Sequence, residues 1–271
     1  MLQVLALLAA TSVDPIVSTA WVQAHLTDPQ VRIIFTGDRG IYDRGHIPGA
    51  RFIDHMDTVT MAANQHRMLP PPELAAVLAA KAGVSDGMHV VLYGDAPMQT
   101  GWLYMTLAAI GHESEVSMLN GSINLWRAED RPVSTEAPVA AAGTLTVRSA
   151  PDVIVDAGYV KERLQSPTVK ILDVRTPMEW NNGHLPGATL ILWPDLYADQ
   201  RMQTFKSADD IRALITARAG LAPNQSIITY CAVGLRASLM YFAARVAGIP
   251  ARVYVGSWQD WQRDSGNPIA K

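Results

Sequence analysis

The chain of 271 residues is long enough for one large domain or two of ordinary size. With 17% charged and 49% hydrophobic residues it has a globular composition, which excludes an extended disordered chain, and a net charge of −3 without any lysine or arginine block gives no electrostatic footprint for nucleic acid. A single cysteine, Cys231, excludes an internal disulfide and a cysteine-rich zinc site, and no apolar run is long enough to span a bilayer.

The first segment, residues 1–13, opens with "MLQVLALLAATS", which is apolar and ends in small residues. It reads either as a first core strand or as a signal-like extension, although it is short and has no basic residue ahead of it. Export to the periplasm is favoured and the cytoplasm is the alternative. From Asp14 onward the chain is written twice. "VSTAWVQAHL" (from Val17) recurs as "VDAGYVKERL" (from Val155), and "GHIPGA" (from Gly45) recurs as "GHLPGA" (from Gly183), both at an offset of 138. "VVLYG" falls on "SIITYC" at an offset of 137, and "GSINLW" falls on "GSWQDW" at 135. This order and small drift define a first domain at 14–132, a linker at 133–152 and a second domain at 153–271. The linker is rich in Pro, Ala, Ser and Thr, and its "TLTVRS" suggests a short strand.

Within each copy, Ser18 and Asp156 stand at N-cap positions before helical patterns. "VKILDV" and "SIITYC" read as buried parallel strands. "RASLMYFAARVAG" reads as a helix ended by Gly248, with Pro250 just beyond. Strands alternating with helices predict two α/β domains, each a doubly wound, mainly parallel sheet flanked by helices. Sites in such sheets form where strands end and helices begin, and Cys231 stands at one of these junctions.

The stretch Cys231–Ala232–Val233–Gly234–Leu235–Arg236 is expected to curl tightly before the helix starts near Arg236. Successive backbone N–H groups in such a turn form an anion nest, and the positive end of the following helix adds to the field. Both favour a thiolate over a thiol, and Arg236 can present a fixed positive charge to an anionic substrate. A lone cysteine is more often an inert buried hydrophobe. The strand–loop–helix setting with a terminal arginine favours a nucleophile instead. His46 and His184 recur in equivalent turns, which suggests a structural role.

Two copies with a "GH-[IL]-P-G-A" turn, with "C-x-x-G-x-R" in the second copy only, resemble the two-domain rhodanese sulfurtransferases. "LDVRTPMEW" (Leu172–Trp180) and "GSWQDW" extend the likeness over nearly the whole chain after the first dozen residues. The resemblance implies two rhodanese-like domains, of which the first is inactive, with the active site near their interface. In the first copy Gly94 stands at the place of Cys231, Gln99 at that of Arg236, and Phe35 and Gly37 at those of Asp173 and Arg175.

The resemblance further implies that Cys231 takes the outer sulfur of a donor as a persulfide and passes it to an acceptor such as cyanide or another thiol. Substrate contacts are then expected from the loop residues Ala232, Val233, Gly234 and Leu235, from Arg236, from Arg175 and from Trp258 as a wall of the cleft. Asp173 and Glu179 are expected to lend structural support, with bracing of Arg175 by either carboxylate preferred over donor binding. No cofactor or metal is expected, the partners are a small-molecule donor and a thiophilic acceptor, and the chain is expected to be a monomer. Thiosulfate leads as donor. The 3-mercaptopyruvate-using members carry a Gly-rich loop with a hydroxyl residue and arginines in a preceding insertion, and both are missing here. A cysteine phosphatase or arsenate reductase needs five residues between cysteine and arginine, whereas four separate Cys231 from Arg236. A paired module that only binds partners is the non-catalytic alternative.

Overall fold

The computed structural model describes residues 13–63, 66–136, 138, 141–148, 150 and 153–271. The expectation of a signal-like segment or first strand at the N-terminus therefore falls outside the described residues. Each half is one five-stranded sheet in which every pairing is parallel. In the first half the spatial order is Ile16–Val17, Val116–Leu119, His89–Tyr93, Val31–Phe35, Arg51–Phe52. The second half repeats that order with Ile154–Val155, Ala251–Tyr254, Ser226–Tyr230, Val169–Asp173 and Thr189–Leu190. Identical strand orders from two stretches of one chain are the structural form of the sequence repeat. The central strands are apolar on both faces, as sheets covered on both sides require.

Local signals act as the sequence suggested. The Ser18 hydroxyl accepts the Trp21 N–H (3.1 Å), and the Asp156 carboxylate accepts the Tyr159 N–H (2.8 Å). His46 and His184 each stack on the aromatic ring four residues earlier, Tyr42 and Trp180, and each forms an isolated β-bridge to a later segment. The strand suggested by "TLTVRS" does not form over residues 144–148. That segment is held along the first half by single bonds, from the Asp86 N–H to the Thr144 carbonyl (3.0 Å) and from the Arg148 N–H to the Ile110 carbonyl (2.9 Å). Asp86 and Ile110 lie in turns, so the segment has no ladder to join.

The halves share their largest core. One apolar cluster runs from Ile34, Leu92 and Trp102 to Leu172, Cys231 and Phe242, and each half keeps a smaller cluster of its own. At the centre the Pro97–Ala109 helix of the first half packs on the Leu235–Val246 helix of the second. Gly101 permits the approach, because a Cβ there would lie 2.9 Å from Leu239 Cα. Tyr104 meets Phe242 edge-on, with centroids 4.8 Å apart. Glu113 closes the contact by accepting from Tyr241 Oη (2.5 Å) and pairing with Arg245 (2.8 Å).

Each half also extends a short hairpin to the other. The first half's hairpin, Thr60–Met61 with Arg67–Met68, brings His66 within 3.0 Å of Asp260. The second half's hairpin, Tyr197–Asp199 with Thr204–Phe205, reaches back to the first half. Gln203 Nε2 donates to the Asp95 carbonyl (3.1 Å), and the Ser122 N–H donates to the Met202 carbonyl (3.0 Å). Asp95 and Ser122 lie at the edge of the first sheet that corresponds to the cysteine edge of the second.

Candidate active site

Cys231 follows directly on the strand Ser226–Tyr230 and is fully buried. Its chain leaves the sheet through Ala232 and Val233 and enters the helix at Leu235. Gly234 is the N-cap, with φ +91° and ψ −27°, a left-handed conformation that favours glycine. No side-chain oxygen caps this helix. The N–H of this N-cap residue donates to Cys231 Sγ at 3.1 Å, which sets the sulfur at the N-terminal end of the helix.

The short helix Ser257–Trp261 orients the rest of the loop. The Trp258 N–H donates to the Cys231 carbonyl (2.9 Å) and the Gln259 N–H to the Ala232 carbonyl (3.0 Å). In a trans peptide the N–H points opposite to the carbonyl, so the N–H groups of Ala232 and Val233 are turned away from that helix. Ser257 holds the cysteine itself, since its Oγ accepts the Cys231 N–H (3.1 Å) and donates to the Tyr254 carbonyl (2.9 Å). It does so with φ +55°, a strained value for a serine. The sequence reading missed Ser257. Its motif partner, Ser122, is an ordinary N-cap that accepts the Asn124 N–H, so the recurring "GS" signals only a helix start.

The charged residues form two separate pairs. Asp173 and Arg175 are both buried, and Asp173 Oδ1 and Oδ2 accept from Arg175 Nε (3.0 Å each) and Oδ2 from Nη2 (2.6 Å). Asp173 also accepts from Tyr230 Oη (2.5 Å), and Arg175 Nη2 donates to the Gly183 carbonyl (2.7 Å). Burial works against the Arg175 charge, but the Asp173 carboxylate outweighs it and the pKa is raised. Arg175 is 1% exposed, and its guanidinium is engaged by Asp173 and the Gly183 carbonyl beneath the turn. The half-buried Trp258 ring lies 4.6 Å over its guanidinium and covers Gly183.

Glu179 pairs with Arg236 instead of Arg175. Its two oxygens accept Arg236 Nη1 and Nη2 at 2.7 Å each, and Oε2 also accepts the Thr176 N–H and hydroxyl in a capping box. The Arg236 hydrogen bonds hold the Glu179 carboxyl down to about 2. The Glu179 bonds, and secondarily the Cys231 side chain, raise the pKa of Arg236. The Arg236 charge therefore stands beside the thiol already matched by a carboxylate. Ala232, Val233 and Leu235 are half-buried and form the remaining surface of the loop.

In the first half the equivalent junction carries no thiol. A Cβ on Gly94 would lie 2.1 Å from the Thr36 carbonyl oxygen. Phe35 packs edge-on against Tyr93 (5.2 Å) where Asp173 meets Tyr230 in the second half. Among the described residues no cluster of His, Cys, Asp or Glu is arranged to hold a metal, and no helix is long and apolar enough to cross a membrane.

Two like α/β domains, with a single cysteine at the strand-to-helix loop of the second and none at the matching place in the first, define a tandem-domain protein with one cysteine loop. The profile of the rhodanese-like domain matches residues 18–129 and 156–264, and the chain belongs to that family. It is 33% identical over 290 residues to "Sulfur carrier protein TtuD" of Thermus thermophilus, covering 95% of this chain and 97% of that protein. It is 28% identical to "Thiosulfate sulfurtransferase" of Azotobacter vinelandii, with coverages of 95% and 97%. Among solved structures it is similar to SseA of Escherichia coli, a 3-mercaptopyruvate sulfotransferase with the rhodanese fold (TM-score 0.79, 26% identity, 91% of this chain and 99% of that one). The protein is an enzyme, a sulfurtransferase of the thiosulfate or 3-mercaptopyruvate type.

Proposed function

We propose that this sulfurtransferase moves the sulfane sulfur of thiosulfate to a thiophilic acceptor such as cyanide through a persulfide on Cys231. The observation that carries the reading is the Gly234 N–H on Cys231 Sγ at the N-terminus of the Leu235–Val246 helix. A donor placed there stabilises negative charge on sulfur, in the way an oxyanion hole stabilises it on oxygen. The thiolate attacks the outer sulfur of thiosulfate, a Cys–S bond forms, and the S–S bond of the donor breaks to release sulfite. The persulfide's outer sulfur then lies against the N–H groups of Ala232 to Arg236. Cyanide attacks that sulfur, leaves as thiocyanate and returns the Cys231 thiolate, completing a ping-pong cycle. No other thiol of the chain competes for the persulfide.

Thiosulfate is preferred to 3-mercaptopyruvate because the arginines of a preceding insertion that the 3-mercaptopyruvate-using members carry are missing from this sequence, while Arg236, although paired with Glu179, stands beside the thiol for a small dianion. The loop itself carries no hydroxyl between Cys231 and Arg236. Steady-state rates with thiosulfate and with 3-mercaptopyruvate, against one acceptor, test the choice. A kcat/KM higher with 3-mercaptopyruvate would overturn it. Intact-mass spectrometry after donor treatment tests the class of chemistry: wild type gains one sulfur and Cys231→Ser gains none. No adduct on wild type with either donor or with other persulfides would leave a binding module as the surviving reading.

A further inference from the structure

The first half reaches the cysteine loop through the side chain of Trp102. Trp102 lies on the Pro97–Ala109 helix, is fully buried, and donates from Nε1 to the Thr58 carbonyl (2.9 Å). The ring of His55 meets it edge-on with centroids 5.9 Å apart. Its far edge lies against the loop, because a Cβ built on Gly234 would be 2.9 Å from Trp102 Cζ3 and 2.9 Å from the Val255 carbonyl oxygen. An indole from the first half and the Val255 carbonyl of the second thus both close on the side of Gly234 where a Cβ would stand. This is the residue whose N–H donates to the sulfur three positions earlier.

The contact has no mirror image. At the repeat offset of 137, Trp102 corresponds to Leu239 and Gly234 to Pro97. Leucine is too short to make the same reach, and proline has no N–H to aim. The two helices cross with Gly101 of the first half against Leu239 of the second, which brings the neighbouring Trp102 close to the second half.

We propose that Trp102 is a positioning residue of the sulfur-transfer site: supplied by the inactive half, it pins Gly234 so that its N–H stays on the sulfur of Cys231. This rests on Cys231 as the sulfur carrier, but one of its readouts does not depend on any donor. That readout is the Gly234 amide resonance in the nuclear magnetic resonance spectrum of the full chain, assigned with Cys231→Ala, which removes the acceptor. In Trp102→Leu the resonance is expected to move most of the way to its Cys231→Ala position. The single-turnover rate of sulfur loading is expected to fall about tenfold or more, with the donor's KM changed less than about twofold, because loss of alignment acts on the chemical step. Phe242→Leu is the control, since it thins the same interface core without touching the loop, and it should leave both readouts at wild-type values. If Trp102→Leu does not fold, Trp102→Phe is read instead and is expected to shift the amide in the same direction by a smaller amount. A Gly234 resonance left at its wild-type position in the folded Trp102 variant, or moved as far by Phe242→Leu, would overturn the proposal. If wild type loads no sulfur at all, the proposed function fails while the amide test of Trp102 still stands.

Discussion

Replacing Asp173 by Asn tests the brace beneath the cysteine loop. The change keeps the shape of the side chain but removes the charge that matches Arg175, which is 1% exposed and cannot recover hydration without opening the turn. Breaking a buried pair from one side costs about 3–5 kcal/mol, because the remaining charge is left uncompensated. That is a large fraction of the ~5–15 kcal/mol that holds a typical domain folded. The damage should also reach the site, since Arg175 holds the Gly183 carbonyl and lies under Trp258, whose N–H fixes the Cys231 carbonyl. Urea denaturation gives the stability, with an unchanged m-value as the check that the denatured state is the same. The double variant Asp173→Leu/Arg175→Met separates charge burial from packing. Removing both charges should recover more than half of the loss, as the first half does without them at Phe35 and Gly37. A loss under about 1 kcal/mol in Asp173→Asn, or a double variant no more stable than the single one, would refute the reasoning.

The other predictions follow from single contacts. Glu179→Gln should lower stability at pH 6 by roughly 1 kcal/mol, a figure discounted because the carboxylate is one-third exposed. The Glu179 carboxyl is held at about 2 against an ordinary 4.5, so its contribution is full above 4.5 and fades as pH falls toward 2. Denaturation of wild type and variant at pH 6, 4 and 3 should therefore show the gap closing with acid. Arg236→Ala should raise the KM for thiosulfate more than it disturbs folding, and wild-type kinetics would remove Arg236 from the anion site. Ser257→Ala and Ser257→Gly both strand the Cys231 N–H, but glycine relieves the left-handed backbone, so it should retain about 1 kcal/mol more stability in thermal or urea unfolding. Gly94→Cys should not create a second carrier: with a Cβ 2.1 Å from the Thr36 carbonyl it should unfold at lower denaturant and still gain only one sulfur by intact mass.

The repeat made the architecture legible, because equal strand orders require the same elements at a nearly constant offset. The cysteine loop was legible too, since a strand, a Gly-containing turn and a helix can be read in order. Pairing among the charges was not. Asp173, Arg175, Glu179 and Arg236 were foreseen as neighbours, but whether Glu179 would meet Arg175 or Arg236 depends on where the Pro177–Asn181 helix lands, a tertiary fact with no local pattern. Ser257 was hidden for a different reason. Its first-half counterpart, Ser122, makes an ordinary cap, and only the backbone angle at 257 turns the same residue toward the cysteine.

A duplicated chain carries its own internal control, and that control bears on what the half without a cysteine contributes. If the first half served only to fill volume, its helix could face the second with any residue that packed. What faces the cysteine loop is an indole fixed by Thr58 and His55, where the reciprocal position offers only Leu239. The hairpins follow a similar division. The second half's hairpin lays Met202 and Gln203 on the edge of the first sheet, where Gly94 leaves no thiol to reach, while the first half's hairpin places His66 on Asp260, three residues past the serine that anchors Cys231. A second half expressed alone would lose the Trp102 contact on Gly234, so it should load sulfur poorly even where it remains folded.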